Sequence, residues 1–208
     1  MTNTDITIVP PIRYNRVQST LSRGGLPTSN NFSFLKLLDV NTIIGLTPKS
    51  IYTEEESIDN KSLIQFIEES NIEYIHFPTD SSAKDKGKNR EIPISDEQVI
   101  KVIELILRRD SGNIYLYCLN GGQIVSLVIA CLRKVQLWSN VSIFEEFICF
   151  SQSANNNDRM FVEEFSPKLK VPKKSERVEW LWTGLNENVI LNHPSLKDIE
   201  FEERLGGT

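Results

Sequence analysis

Cys118 lies where a thiol could attack a phosphate group. Residues 114–117 form an apolar, aromatic run that predicts a buried strand, and Cys118 stands at its end. Gly121 and Gly122 follow as a loop, and residues 126–134 predict an apolar helix. Backbone N–H groups of such a loop and the positive end of the helix face an anion and favour the thiolate form of a cysteine. The spacing therefore indicates phosphoryl chemistry with Cys118 as the nucleophile.

The composition of the chain is that of one domain with a sizeable core. It has 208 residues, 39% of them hydrophobic, and a formal net charge of −5. This acidic balance argues against nucleic acid or an anionic membrane surface as a partner. The three cysteines lack the spacing of a metal site, and we expect no metal and no cofactor. Reduced cysteines, no apolar run of about 20 residues and no apparent signal peptide predict a cytoplasmic protein.

Other segments supply the elements that must position the cysteine. Strands are predicted at residues 16–26, 42–47 and 71–77. Amphipathic helices are predicted at residues 61–69, 95–109 and 139–150. The first strand is expected to close in a turn at Gly24 and Gly25, and His76 is expected to be a satisfied sheet residue. The expected fold is α/β, with a central, mostly parallel sheet of four or five strands flanked by helices. Ligands bind at the carboxyl ends of strands in such sheets, which is where Cys118 falls.

Several motifs occur in an order and spacing that carry a family resemblance. They are Val-Pro-Pro at 9–11, Asn-Phe-Ser-Phe-Leu at 31–35, Thr-Ile-Ile-Gly-Leu-Thr-Pro at 42–48, and the helical run at 133–150. With the Cys118 loop, they resemble the plant and fungal atypical dual-specificity phosphatases of the protein-tyrosine-phosphatase superfamily, which include inositol-pyrophosphate phosphatases. The resemblance covers roughly Ile8 to Phe165 and implies the cysteine-dependent phosphatase fold.

The signature loop departs from the family pattern of His-Cys, five residues, Arg, Thr or Ser, and Gly. Tyr117 stands for the histidine, Ile124 for the arginine, Val125 for the hydroxyl residue and Ser126 for the glycine. After Cys118 the phosphate loop consists of Leu119, Asn120, Gly121, Gly122 and Gln123. The arginine of such loops holds two phosphate oxygens and stabilises charge in the transition state. Losing one preorganised donor costs ~10²–10³ in rate, so the resemblance implies a loop without its chemistry.

Three interpretations of this loop follow. In the first, the chain is a pseudophosphatase that acts as a binding or scaffold subunit in a hetero-complex with paralogous phosphatase-like proteins. Cys118 is then a small buried residue at a vestigial nucleophile position. In the second, the chain is a weak cysteine-dependent phosphatase that uses Cys118 on phosphotyrosine or inositol (pyro)phosphates. In the third, the chain is a sensor that binds a phosphorylated small-molecule ligand, phosphate or an inositol phosphate, without cleaving it. We favour the first interpretation because of Ile124.

The polar segment 78–91 is the longest loop predicted between core elements. It carries four basic residues, Lys84, Lys86, Lys88 and Arg90. These form either a basic lip that binds a polyanion or an ordinary solvated, mobile loop. In the family this region supplies the general acid, but the pattern here aligns neither Asp80 nor Asp85 with it.

The resemblance sets the predicted domain boundaries. Residues 1–182 are expected to form the tyrosine-phosphatase-like domain, with Trp180 and Trp182 docking back on it. Residues 183–208 are expected to be a flexible extension, with a partner-binding segment as the alternative.

Overall fold

The computed structural model describes residues 8–53, 58–81, 90–166 and 168–202. The described strands are β1 (Asn15–Gln18), β2 (Leu21–Gly25), β3 (Thr42–Thr47), β4 (Glu73–Pro78), β5 (Ile114–Cys118), β6 (Lys170–Val171) and β7 (Glu200–Phe201). The described α-helices are α1 (Phe32–Leu37), α2 (Ile58–Glu69), α3 (Asp96–Leu107), α4 (Gln123–Val135), α5 (Asn140–Ser151), α6 (Asn156–Glu164) and α7 (Glu187–Leu191). The chain divides into two compact units, residues 1–79 with 112–122, and residues 80–111 with 123–208.

The first unit is built on a five-stranded sheet in the order β1-β2-β5-β3-β4. Strands β2, β5, β3 and β4 are parallel, and only β1 is antiparallel to its neighbour. Helices α1 and α2 contribute Leu35 and Phe66 to an apolar cluster with Ile43 of β3 and Tyr115 of β5. The predicted α/β fold with a mostly parallel sheet is confirmed.

The prediction for residues 16–26 is wrong in one respect, because the segment forms a hairpin rather than a single strand. Strands β1 and β2 pair antiparallel, and Gly24 and Gly25 lie inside β2 instead of forming a turn. At both glycines, neighbouring atoms approach the backbone too closely for a Cβ atom. A Cβ at Gly24 would lie 2.3 Å from the Tyr115 hydroxyl oxygen, and one at Gly25 would lie 2.4 Å from the Ile12 γ-methyl group.

The expectation for His76 is confirmed. His76 lies on β4, the edge strand of the sheet, and its Nε2 is 2.8 Å from the Thr47 carbonyl oxygen. The ring is therefore satisfied by the neighbouring strand and takes a structural position.

The second unit consists mainly of helices that contact α4. Helices α3, α5 and α6 all pack against it. Ser95 caps α3 and Ser139 caps α5, each by accepting a hydrogen bond from a backbone N–H of the first turn. Leu127, Cys131 and Leu132 are among the buried residues of α4. The sequence of α4 is apolar because most of its residues are buried.

Of the predicted extension at residues 183–208, the structure describes residues 183–202, which contain α7, a short 3₁₀ turn and β7. Trp182 donates from its indole Nε1 to the Val135 carbonyl oxygen at 2.8 Å, as predicted for the docking tryptophans. Beyond it, α7 buries Ile190, a short 3₁₀ turn buries Leu196, and β7 pairs with β6. The described part of the extension therefore has buried apolar residues and a strand pairing of its own. None of the helices in the described part of the chain has the length and apolar composition of a membrane span.

Candidate functional site

Cys118 is the last residue of the central strand β5. It lies between Gly25 of β2 and Leu46 of β3 in the parallel register. The residue is 2% exposed. The prediction that the cysteine stands at the carboxyl end of a parallel strand is confirmed.

The turn after Cys118 requires glycine at position 121. Gly121 has a φ of +67°, and its N–H donates to the Cys118 carbonyl oxygen at 3.4 Å. A Cβ at this position would lie 2.6 Å from the Gly24 carbonyl carbon. The tight return of the loop onto β2 therefore depends on a residue without a side chain.

Asn120 closes the loop with its own side chain. Its Oδ1 accepts a hydrogen bond from the Gly122 N–H at 2.8 Å. The Cys118 thiol donates a longer contact to the same oxygen, at 3.8 Å. A phosphate oxygen bound by this loop would compete for the same two groups. The carboxamide thus supplies an internal acceptor where an anion is expected.

Two arginines from the N-terminal part of the chain hold the carbonyl groups of the loop. Arg13 donates from Nη1 to the Asn120 carbonyl oxygen at 2.8 Å, and Arg23 donates from Nη2 to that of Gly121 at 3.2 Å. The C=O and the following N–H of a trans peptide point in opposite directions. Arg23 thereby turns the Gly122 N–H away from itself, toward the Asn120 side chain.

Sequence reasoning missed both arginines. Arg13 and Arg23 lie 107 and 98 positions before the loop residues they contact. Arg23 is 0% exposed, which is rare for an arginine and marks a specific role. The sequence signal that could have found Arg23 is its position just before Gly24 and Gly25. The strand that carries these residues pairs with β5.

Tyr117, at the histidine position of the family pattern, belongs to the core of the first unit. Its hydroxyl oxygen is 3.1 Å from that of Tyr74. Burial raises the pKa of Tyr117 far above its ordinary value, so the phenol stays neutral. The neighbouring Tyr115 donates its hydroxyl to the Gly25 carbonyl oxygen at 2.7 Å. Both tyrosines stabilise the sheet.

Helix α4 begins at Gln123, directly after the loop. The Gln123 side chain donates to Asp158 Oδ1 at 2.8 Å and to the Glu91 carbonyl oxygen at 3.2 Å. Ile124 follows and is half-buried. An isoleucine side chain has no hydrogen-bond donor, so position 124 cannot clamp a phosphate group.

Arg90, predicted as an anion-binding residue, is engaged in a buried ion pair. Its guanidinium contacts the Asp158 carboxylate and donates to the Ser153 carbonyl oxygen at 2.9 Å. Asn155 and Asn157 each donate to the Arg90 carbonyl oxygen at 2.9 Å. Arg90 therefore anchors the end of the polar segment to α6. The other predicted basic residues, Lys84, Lys86 and Lys88, lie outside the described residues, as does Asp85.

Comparisons with known proteins agree with this architecture. OCA6 of Saccharomyces cerevisiae is 32% identical over 185 residues, covering 85% of this chain and 80% of OCA6. Inositol diphosphatase DSP2 of Oryza sativa subsp. japonica is 30% identical over 159 residues, covering 76% of this chain and 72% of that protein. The crystal structure of the catalytic core of the PP-IP phosphatase SIW14 from S. cerevisiae superposes with a TM-score of 0.64 at 25% identity. That match covers 76% of this chain and 88% of the SIW14 core. A profile described as the tyrosine phosphatase family matches residues 8–184, and the chain belongs to that family.

Proposed function

We propose that this protein is a phosphatase-like binding subunit that holds phosphorylated ligands without hydrolysing them. The observation that carries the proposal is the loop itself. It keeps the strand-end cysteine and the positive-φ Gly121 of a phosphate loop, while position 124 is isoleucine. The Asn120 carboxamide satisfies the donors that a phosphate oxygen would otherwise meet.

The size of the chemical loss supports binding over turnover. Removing one preorganised donor to a transition state costs ~10²–10³ in rate. A charged, bidentate guanidinium is a stronger group than one neutral donor, so its replacement by Ile124 is expected to cost at least as much. Val125 and Ser126 add no replacement, because Val125 lacks a hydroxyl and the Ser126 side chain is buried.

The relatives suggest the class of ligand to test. DSP2 of rice is named an inositol diphosphatase, and SIW14 is described as a PP-IP phosphatase. We therefore take inositol phosphates and pyrophosphates as the ligand class of this chain. In the scaffold role, its protein partners are paralogous members of the same family, and copurification of the chain with such a recombinant relative tests that assembly.

The second candidate function is weak cysteine-dependent hydrolysis of phosphotyrosine or inositol (pyro)phosphates through Cys118. Two features favour it. The cysteine keeps its position at the end of β5, and two guanidinium groups contact the loop that follows.

One preparation tests both functions with two readouts. Calorimetric titration with inositol hexakisphosphate measures binding, and phosphate release from an inositol pyrophosphate measures turnover. Binding, with phosphate release equal to that of Cys118→Ser, is the expected result. Release that clearly exceeds that of Cys118→Ser would establish the second function instead.

A further inference from the structure

We propose that Arg13 is a phosphate-binding residue of the Cys118 loop and supplies, from the N-terminal segment, the guanidinium that position 124 lacks. This inference rests on the proposed function, because it requires a phosphate group to enter the loop. It assigns the charge that recognises that group to a residue outside the family's signature loop.

The N-terminal segment is docked against the end of β2, next to the loop. The Gly25 N–H donates to the Ile12 carbonyl oxygen at 2.8 Å, and the Ile12 side chain lies over Gly25. The Tyr14 N–H donates to the Pro11 carbonyl oxygen at 3.1 Å and closes a turn around Arg13. These contacts bring the Arg13 guanidinium to the Asn120 carbonyl oxygen.

The backbone of Arg13 is held in an uncommon conformation. Its φ is +52°, in the left-handed region that residues with a side chain rarely adopt. Such a conformation persists when the surroundings impose it, and here the Ile12 and Tyr14 hydrogen bonds do so. The direction in which the Arg13 side chain leaves the backbone is therefore set by these contacts.

The Arg13 guanidinium has more N–H groups than its contact with Asn120 uses. Arginine carries five N–H groups, and within the part of the chain that the structure describes, the one partner of the Arg13 side chain is the Asn120 carbonyl oxygen. Arg13 is half-buried and makes no ion pair with a described carboxylate. Its remaining donors form a planar fork that suits two phosphate oxygens.

Arg23 does not fill this role. It is fully buried and donates to the Gly121 carbonyl oxygen, so it supports the loop from within the unit. Arg13 is the more accessible of the two guanidinium groups that contact the loop. In a chain with a net charge of −5, such a local positive charge is what a phosphate dianion needs in order to bind.

Calorimetry with inorganic phosphate and with inositol hexakisphosphate tests the inference on the full chain. Arg13→Asn removes the charge, and asparagine tolerates a positive φ better than most residues that have a side chain. Arg13→Lys keeps the charge but loses the fork. Arg16→Asn is the matched control, because Arg16 is an exposed arginine of the same unit that donates to the Ser19 carbonyl oxygen. Urea unfolding of each variant verifies its folding.

The expected result is that Arg13→Asn weakens binding of both probes about tenfold, the loss of one charged hydrogen-bonding group. Arg13→Lys should give a smaller loss, and Arg16→Asn should bind like the wild type. Equal affinity in folded Arg13→Asn and wild type would overturn this inference alone. A wild type that binds neither probe would overturn it together with ligand binding. Phosphate release above that of Cys118→Ser would overturn only the non-hydrolysing function.

Discussion

The Asp158→Ala variant is expected to destabilise the protein strongly, because Asp158 is the counter-ion that makes Arg90 a structural residue. The Asp158 side chain is 0% exposed. Its carboxylate contacts the Arg90 guanidinium and accepts hydrogen bonds from Gln123 Nε2 at 2.8 Å and from the Asn155 N–H at 3.0 Å. The change removes all three interactions at once.

The magnitude follows from the burial of the residue left behind. Arg90 is 6% exposed, so its charge would remain inside the protein without a counter-ion. Breaking a buried ion pair in this way costs ~3–5 kcal/mol. Replacing both members, as in Arg90→Leu with Asp158→Leu, should recover part of the loss, because no unpaired charge is then buried.

Urea unfolding followed by tryptophan fluorescence measures this free energy. The matched control is Asp110→Ala in the same unit, which removes the Arg108–Asp110 pair whose side chains are 55% and 68% exposed. That exposed pair should contribute less than ~1 kcal/mol. A loss for Asp158→Ala as small as for Asp110→Ala would refute the structural role of Arg90 and return it to the candidate anion-binding residues.

Three further predictions concern the loop and the helix after it. Gly121→Ala should cost at least ~2 kcal/mol more in urea unfolding than Gly184→Ala. Both glycines have positive φ, but only at position 121 does a Cβ meet backbone, at 2.6 Å; equal losses would contradict the close approach. Asn120→Ala should raise the calorimetric affinity for inorganic phosphate several-fold, since charged acceptors bind backbone N–H groups more strongly than amides do; unchanged affinity would argue against the internal acceptor. Burial raises the pKa of the Cys131 thiol, so unfolding free energy should fall from about pH 8.5 upward, by up to ~1.4 kcal/mol per pH unit, and Cys131→Ala should flatten that fall; an unchanged slope in the variant would contradict it.

The strand, loop and helix around Cys118 could be predicted because their signals are local. The apolar run of β5, the glycines after it and the apolar α4 are contiguous in the sequence. The family motifs on both sides of the loop then indicated helices between the strands. Parallel strands need crossover connections of this kind, so the motifs predicted a mostly parallel sheet.

Other features of the structure depend on contacts between residues that are far apart in the sequence. From the sequence, Arg90 is one more basic residue of a polar segment. Its structural role depends on Asp158, which lies 68 positions later in the sequence and contacts it only in the fold. Gly24 and Gly25 are interpreted as a turn from the sequence, because paired glycines occur more often in turns than inside a strand that neighbouring atoms approach closely. The acceptor formed by Asn120 depends on a side-chain rotamer, which the amino-acid order does not specify.

The extension after residue 183 illustrates a third limit. Its polar composition favoured a flexible tail, and the helix and strand of residues 187–201 could not be predicted from that composition. Ile190 and Leu196 are buried, and β7 finds its partner in β6. Spacing of single apolar residues in a polar segment carries little information about where they dock.

Single-turnover phosphate release from an inositol pyrophosphate, measured in four proteins, tests the central claim most directly. The proteins are the wild type, Cys118→Ser, Ile124→Arg, and the double variant. If the loop is intact but lacks its clamp, the wild type should match Cys118→Ser, and Ile124→Arg should exceed the double variant. A wild-type rate clearly above that of Cys118→Ser would contradict the account, because the loop would then hydrolyse phosphate esters without an arginine at position 124.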